Sequence, residues 1–317
     1  MISLNDVRKL WRGGKRVKTF DDIFDKVRER KRKIALVGAE DLEGIKAVNE
    51  AATAGIADAL LIGDEKKVSD NLKKLGIKGK FEIVHASSAT SASETGVKLV
   101  SSGKADILMK GLVKTSILLK AVLNPDWGLR SGKLLSHLVI AEAKDYDRFI
   151  GITDGGMIIR PTLEQKVEII KNAVGFFHKM GNDNPKVACI AAVEVVNSSM
   201  PETVEAAQLA TMWKRKQITN CVVDGPLGFD NALDPRAARI KKVTGEVAGH
   251  ADILLVPDIH SGNFIGKSMD YCAHYTIGGI VLGAKAPIVI ISRADKAKAK
   301  LASISLGALA IEREDKK

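Results

Sequence analysis

The sequence predicts an α/β protein of βαβ units with a largely parallel sheet, long enough for two domains. Three observations carry this expectation. From residue 33 onward, short Val/Ile/Leu runs alternate with helical stretches, the signature of βαβ units. The apolar runs are continuous rather than alternating, as in strands covered on both faces. The chain has 317 residues, 45% of them hydrophobic, which is enough for two cores.

Taken in order, "KIALVG" reads as a strand and "LEGIKAVNEAATAG" as a helix ending at a glycine. "ADALLIGD" and "EKKVSDNLKKLG" repeat the pair, and "FEIVHAS", "ATSASETGVKLVSSG" and "ADILMKG" continue it. "LLSHLVIAEA" and "RFIGITDGG" then follow each other with only "KDYD" between them, which predicts a local antiparallel hairpin. "PTLEQKVEIIKNAVGFFHKMG" is a helix: Thr162 and Gln165 have capping-box spacing, and Val167, Ile170, Val174 and Phe177 share one face. "KVACIAAV", "CVVDGPL", "ADILLVPD" and "GIVLGAKAPIVIIS" supply further strands, and "KAKAKLASISLGALAIER" is a closing helix. No Gly/Ser- or Pro-rich tether divides the chain, so the two domains are expected to share chain crossings.

The net charge is +11, and residues 1–33 hold 12 Lys and Arg against 5 Asp and Glu. This reads as a solvated helix face with a basic tail, since "RKLWRGGKRVK" interleaves only one aromatic and repeats nothing. A nucleic-acid or membrane patch, and attraction of anionic substrates, are the other readings. No apolar run approaches a membrane span, and no secretory signal is read at the N-terminus, so neither nucleic acid nor membrane is expected as a partner. Three widely spaced cysteines (Cys189, Cys221, Cys272) suit thiols in a reducing cytoplasm.

Ligands of open parallel sheets bind beyond the carboxyl ends of strands. Those ends are 109–116, 152–157, 191–202, 223–230, 256–268 and 291–295, read here as loops rich in Gly, Ser, Thr, Asn and cations. Such residues suit an anion, because backbone N–H groups approach where side chains are small. "SGNFIGKS" has one residue too few between its glycines for a phosphate-binding P-loop, leaving Lys267 in a general anion-binding turn. No dinucleotide fingerprint, no His pair with metal-ligand spacing and no hydrolase nucleophile elbow occurs. The expectation is therefore no metal and no tightly bound cofactor.

"KADILMKGLVKTSILLKAVL", "ITDGGMIIRPTLEQKVEIIKNAV", "VDGPLGFDNAL", "DIHSGNFIGKSM" and "SRADKAKAKLASISL" together resemble the phosphate acetyl/butyryl transferase family, on its butyryl side. The resemblance implies a two-domain α/β/α fold with mostly parallel sheets, similar to the isocitrate/isopropylmalate dehydrogenase type. One domain would hold both termini (1–140 plus 285–317), the other would be 141–284, and the active-site cleft would lie between them. It implies a cytoplasmic homodimer or higher homo-oligomer that transfers an acyl group, butyryl in first place, between CoA and inorganic phosphate by direct attack in a ternary complex. Acyl-CoA and phosphate would be the substrates. By position in the motifs, Ser292 and Arg293 would meet phosphate, and Thr115 and Ser116 the acyl phosphate. Lys110, Asp154, Asn263 and Lys267 would line the cleft, and the Asp224–Asp230 loop would face it. The acetyl branch carries an acid seven positions after the Ser of the Ser–Arg pair, but Ala299 stands there in this chain. Asp295 is the first replacement base, followed by Asp224 and Asp154. The alternatives are acetyl transfer, acyl transfer from a carrier protein at a membrane surface, and a non-catalytic module that binds CoA or acyl phosphate.

Overall fold

The computed structural model describes residues 16–28, 32–79, 81–290 and 297–311. The first half is three βαβ turns. Strands β1 (Arg32–Val37), β2 (Ala57–Gly63), β3 (Glu82–His85) and β4 (Ile107–Lys110) alternate with helices. After the leading α1 (Phe20–Val27), these helices are α2 (Leu42–Thr53), α3 (Glu65–Lys74) and α4 (Ala89–Ser101). The glycines read as helix stops are Gly55, Gly76 and Gly103, with φ of +73°, +69° and +74°. That left-handed conformation is open to glycine at no steric cost, so each helix ends where the glycine falls.

Helix α5 (Thr115–Val122) leads to β5 (Ser136–Glu142) and β6 (Phe149–Thr153), which pair antiparallel as the short "KDYD" link predicts. Helix α6 (Leu163–Lys179) follows. Its capping box forms between Thr162 and Gln165, and Val167, Ile170, Val174 and Phe177 are all buried. Next come β7 (Lys186–Ile190), α7 (Pro201–Lys214), β8 (Val222–Leu227), α8 (Phe229–Leu233), α9 (Pro235–Ile240) and β9 (Ile253–Leu255). The described chain closes with α10 (Ile259–Tyr271), β10 (Thr276–Leu282), β11 (Ile288–Val289) and α11 (Ala297–Ala310).

The strands form one sheet in the order β3-β2-β1-β4-β11-β10-β5-β6-β9-β7-β8. Seven pairings are parallel and three antiparallel, the latter being β11–β10, β10–β5 and β5–β6. Three reversals in succession mean that the parallel group β3 to β11 and the parallel group β6 to β8 run in opposite directions. The antiparallel pair β10–β5 is the seam between them. Helix α11 packs on β10 and reaches back to α1 and α2. It is fastened there by Lys300, whose ammonium is 2.8 Å from Asp41, the N-cap residue of α2. Lys300 is 1% exposed, so this pair ties the last described helix to the first half inside the protein.

Two stretches read as loops are regular structure. "DGPLGFD" does not leave the core: β8 continues through Asp224, Gly225 and Pro226 to Leu227, and α8 begins at Phe229. Gly225 is needed because a Cβ there would lie 2.7 Å from the Cβ of Cys189 on the neighbouring strand. "IHSGNFIGKSMDY" is the helix α10, not a turn, with Asp258 as N-cap accepting from the N–H of Ser261 at 2.9 Å.

Candidate active site

A cleft of about 270 Å³ opens over the antiparallel seam of the sheet. Its floor is His137 and Val139 of β5 with Ile277, Gly278, Gly279 and Val281 of β10. The first half of the molecule contributes Thr115, the first residue of α5. The opposite side contributes Gly155, Gly156 and Met157, which follow β6, and Gly262, Asn263, Gly266 and Lys267 of α10. Ile290, after β11, and Ala299 and Ser303 of α11 complete the wall.

The positions in α10 that reach the cleft are i, i+1, i+4 and i+5, one face of a helix. The glycines on that face set how closely α10 approaches. A Cβ on Gly262 would lie 2.5 Å from the Cα of Gly155, and one on Gly155 would lie 2.7 Å from the carbonyl carbon of Gly262. Backbone therefore meets backbone, and this contact places Asn263 and Lys267 at the cleft. The ammonium of Lys267 stands 5.6 Å from the ring centroid of Tyr271. Across the cleft, Thr115 opens α5, where the first N–H groups of a helix have no intrahelical acceptor. That end attracts anions.

Beside the cleft, Asp154 is 1% exposed. Its Oδ1 accepts from the N–H groups of Gly156 and Met157, both at 2.8 Å, and so fixes the turn that lines the cleft. Its Oδ2 has no hydrogen-bond partner among the described residues. Burial pushes this carboxyl above its ordinary value, while the two N–H bonds and the charge of His137 pull the other way.

Of the sequence-predicted residues, Thr115, Asn263 and Lys267 are brought together, with Asp154 at their edge. Ser116 is exposed on the first turn of α5. Lys110 is buried at the end of β4, where its ammonium donates to the carbonyls of Gly111 and Val113 at 3.2 and 3.4 Å and so shapes the loop before α5. Asp224 lies on β8 at the far edge of the sheet and is not among the cleft-lining residues. Asp230 on α8 is held below the ordinary carboxylate range by a bond from Lys241 at 3.1 Å. Ser292, Arg293 and Asp295 lie outside the described residues, but the flanking Ile290 and Ala299 both line the cleft. The reading of the sequence missed His137 and Ser303. The signal for His137 is its place two residues before Val139 in a strand, which puts both side chains on one face.

Among the described residues no group of three or more His, Cys, Asp or Glu is arranged to hold a metal ion. No described helix is long and apolar enough to cross a membrane.

Comparison with known proteins places this geometry. A family model described as "Phosphate acetyl/butaryl transferase" matches residues 18–95 and 72–308. The chain is 45% identical over 295 residues to the phosphate butyryltransferase of Clostridium acetobutylicum, covering 92% of this chain and 98% of that one. It is 48% identical over 293 residues to the probable phosphate butyryltransferase of Bacillus subtilis, covering 92% and 97%. The crystal structure of a branched-chain phosphotransacylase from Enterococcus faecalis superposes with a TM-score of 0.79 at 29% identity, over 89% of this chain and all of that one. A 4-hydroxythreonine-4-phosphate dehydrogenase from Burkholderia phymatum shares the fold, with a TM-score of 0.54 at 15% identity over 89% of this chain and 98% of that one.

Proposed function

The chain belongs to the phosphate acetyl/butyryl transferase family and is a phosphate acyltransferase; from that premise we propose how its cleft works. The reaction is reversible acyl transfer between CoA and inorganic phosphate. In this reading butyryl-CoA and phosphate give butyryl phosphate and CoA by direct attack in a ternary complex, with no covalent acyl-enzyme and no tightly bound cofactor. The division of the chain into 1–140 plus 285–317 and 141–284 belongs to the same reading, with the seam of the sheet as the meeting place. So do a cytoplasmic location and assembly as a homo-oligomer.

The observation that carries the reading is the convergence of anion-suited groups on one cleft. Thr115 stands at a helix start on one side, Asn263 and Lys267 on the other, and the segment bearing Ser292 and Arg293 is flanked by two lining residues. Phosphate must be held next to the acyl carbonyl, which is mainly a matter of position. The guanidinium of Arg293 offers a planar fork that matches phosphate through two bonds, and a lysine ammonium does not reproduce it. Charge that develops on the carbonyl oxygen meets the donors at the start of α5.

Release of CoA from butyryl-CoA, followed with and without phosphate, tests this. Wild-type protein should release CoA only when phosphate is present. Arg293→Ala should lower turnover about a hundredfold or more, and Arg293→Lys should be nearly as poor, each with an unchanged melting temperature. No phosphate-dependent release by wild type would overturn the reading. Near-normal turnover by Arg293→Lys would remove the two-bond phosphate contact from it.

A further inference from the structure

The reaction leaves one step without a group. A CoA thiol has a pKa of about 8.5, so at neutral pH it must give up its proton before it attacks an acyl phosphate. Ala299 takes the position where related acetyl transferases would carry an acid, and it faces the cleft with nothing to accept a proton.

His137 faces the same cleft from β5, in register with Val281 of β10. Its ring is set in a slot made by two glycines. A Cβ on Gly156 would lie 2.7 Å from its Nδ1, and a Cβ on Gly279 would lie 2.9 Å from its Nε2. Any side chain at either position would displace the ring. Gly156 also gives its N–H to Asp154, so the imidazole and the buried carboxylate flank one residue. The orphan Oδ2 of Asp154 supplies negative charge beside the ring, which favours the imidazolium.

We propose that His137 is the proton acceptor for the CoA thiol and the proton donor to departing CoA in the reverse direction. In the forward step the S–H proton passes to an imidazole nitrogen and sulfur bonds to the acyl carbon. The acyl carbon–oxygen bond to phosphate breaks, and phosphate leaves with the electron pair. In reverse, a phosphate oxygen attacks the thioester, CoA leaves as thiolate, and the imidazolium returns the proton. Imidazole is the side chain whose ordinary titration lies nearest neutral pH, so it can both take up and return a proton there. Among the described residues the ionisable side chains that face it are Asp154, after β6, and Lys267, from α10. β10 presents Ile277, Gly278, Gly279 and Val281 to the cleft, and α11 presents Ala299 and Ser303, none of them ionisable.

This inference rests on the acyl-transfer reading, and the test separates the two. Thiol attack is measured as acyl-CoA formation from butyryl phosphate and CoA between pH 5.5 and 9.5, for wild type, His137→Gln, His137→Ala and Asp295→Asn. Expected for His137→Gln is a kcat at pH 7 lower by about 10² to 10⁴, with little change in the KM for CoA. The acid limb of the wild-type profile should vanish, and turnover should climb with pH as thiolate forms unaided. Added imidazole should restore His137→Ala in part, which a purely structural role would not allow. An active wild type with an unchanged pH profile in His137→Gln overturns the inference alone. So does transfer of the pH signature to Asp295→Asn. A wild type inactive with every acyl phosphate overturns both readings.

Discussion

Asp154 shows how one residue sets stability against function. Its carboxyl is nearly inaccessible, two backbone N–H groups hold one oxygen, and the other oxygen is unpartnered among the described residues. Burial raises its pKa above the ordinary 3.8. The folded state therefore holds this proton to higher pH than the unfolded chain. The contribution to stability is fully present below pH 3.8 and is lost as pH rises through the raised value. Asp154→Asn keeps an acceptor for Gly156 and Met157 and removes the buried charge. Its melting temperature at pH 7 should match or exceed wild type by about 1–2 °C, and the gap should close as pH falls toward 4. Turnover should drop meanwhile, because the ring of His137 loses its negative neighbour. A variant that melts well below wild type at pH 7 would show that the carboxylate is needed for the fold rather than for the site.

At the scale of elements, α10 explains why part of the site was legible in the sequence and part was not. The alternation of apolar runs and helices, the glycine stops and the capping box at Thr162 depend on local chemistry, and each appears where the spacing predicts. "SGNFIGKS" was misread because glycine serves two ends that look alike in sequence. It frees the backbone in a loop, and it also thins a helix so that another backbone can approach. Only the approach of Gly155, distant in the chain, distinguishes the two. Gly225 in β8 misled for the same reason, since its constraint comes from Cys189 on the adjacent strand. Asp224, as part of β8, lies at the sheet edge and is not among the cleft-lining residues. His137 carries only the strand alternation it shares with Val139, because its slot comes from glycines 19 and 142 residues further along the chain. The helix reading of α10 makes its own prediction. Gly262→Ala places a methyl 2.5 Å from the backbone of Gly155, where no side chain can yield. Overpacking of this kind costs about 1–3 kcal/mol. It should also swing Asn263 and Lys267 outward and raise the KM for substrate several-fold. A Gly262→Ala protein with wild-type melting and KM would mean that α10 does not depend on this contact.

At the scale of the whole molecule, the proposed reading makes the joining of two oppositely directed parallel groups the element that selects the acyl chain. The seam is antiparallel, so its strands turn alternate side chains toward the cleft, and those of β5 and β10 are His137 and the apolar Val139, Ile277 and Val281. Met157 from one side and Ile290 from the other complete an apolar lining, while the anion-suited groups are on α5 and α10. In the proposed reading, one site offers polar groups for phosphate and an apolar wall for hydrocarbon. A butyryl group has two methylenes more than acetyl, and each buried methylene is worth about 0.8 kcal/mol, so the wall should favour butyryl by roughly tenfold in kcat/KM. Across acyl-CoAs from two to eight carbons, turnover should rise from acetyl to butyryl and fall once the chain outgrows the cleft. If the lining is what selects, filling it should reverse the order. Val139→Phe occupies the space of the terminal carbons, and it should lower kcat/KM for butyryl-CoA more than for acetyl-CoA, with acetyl-CoA then equal or better. Equal use of acetyl- and butyryl-CoA by wild type would reject the butyryl assignment while leaving acyl transfer to phosphate intact. A wild-type preference that Val139→Phe does not alter would place the acyl chain elsewhere than against β5.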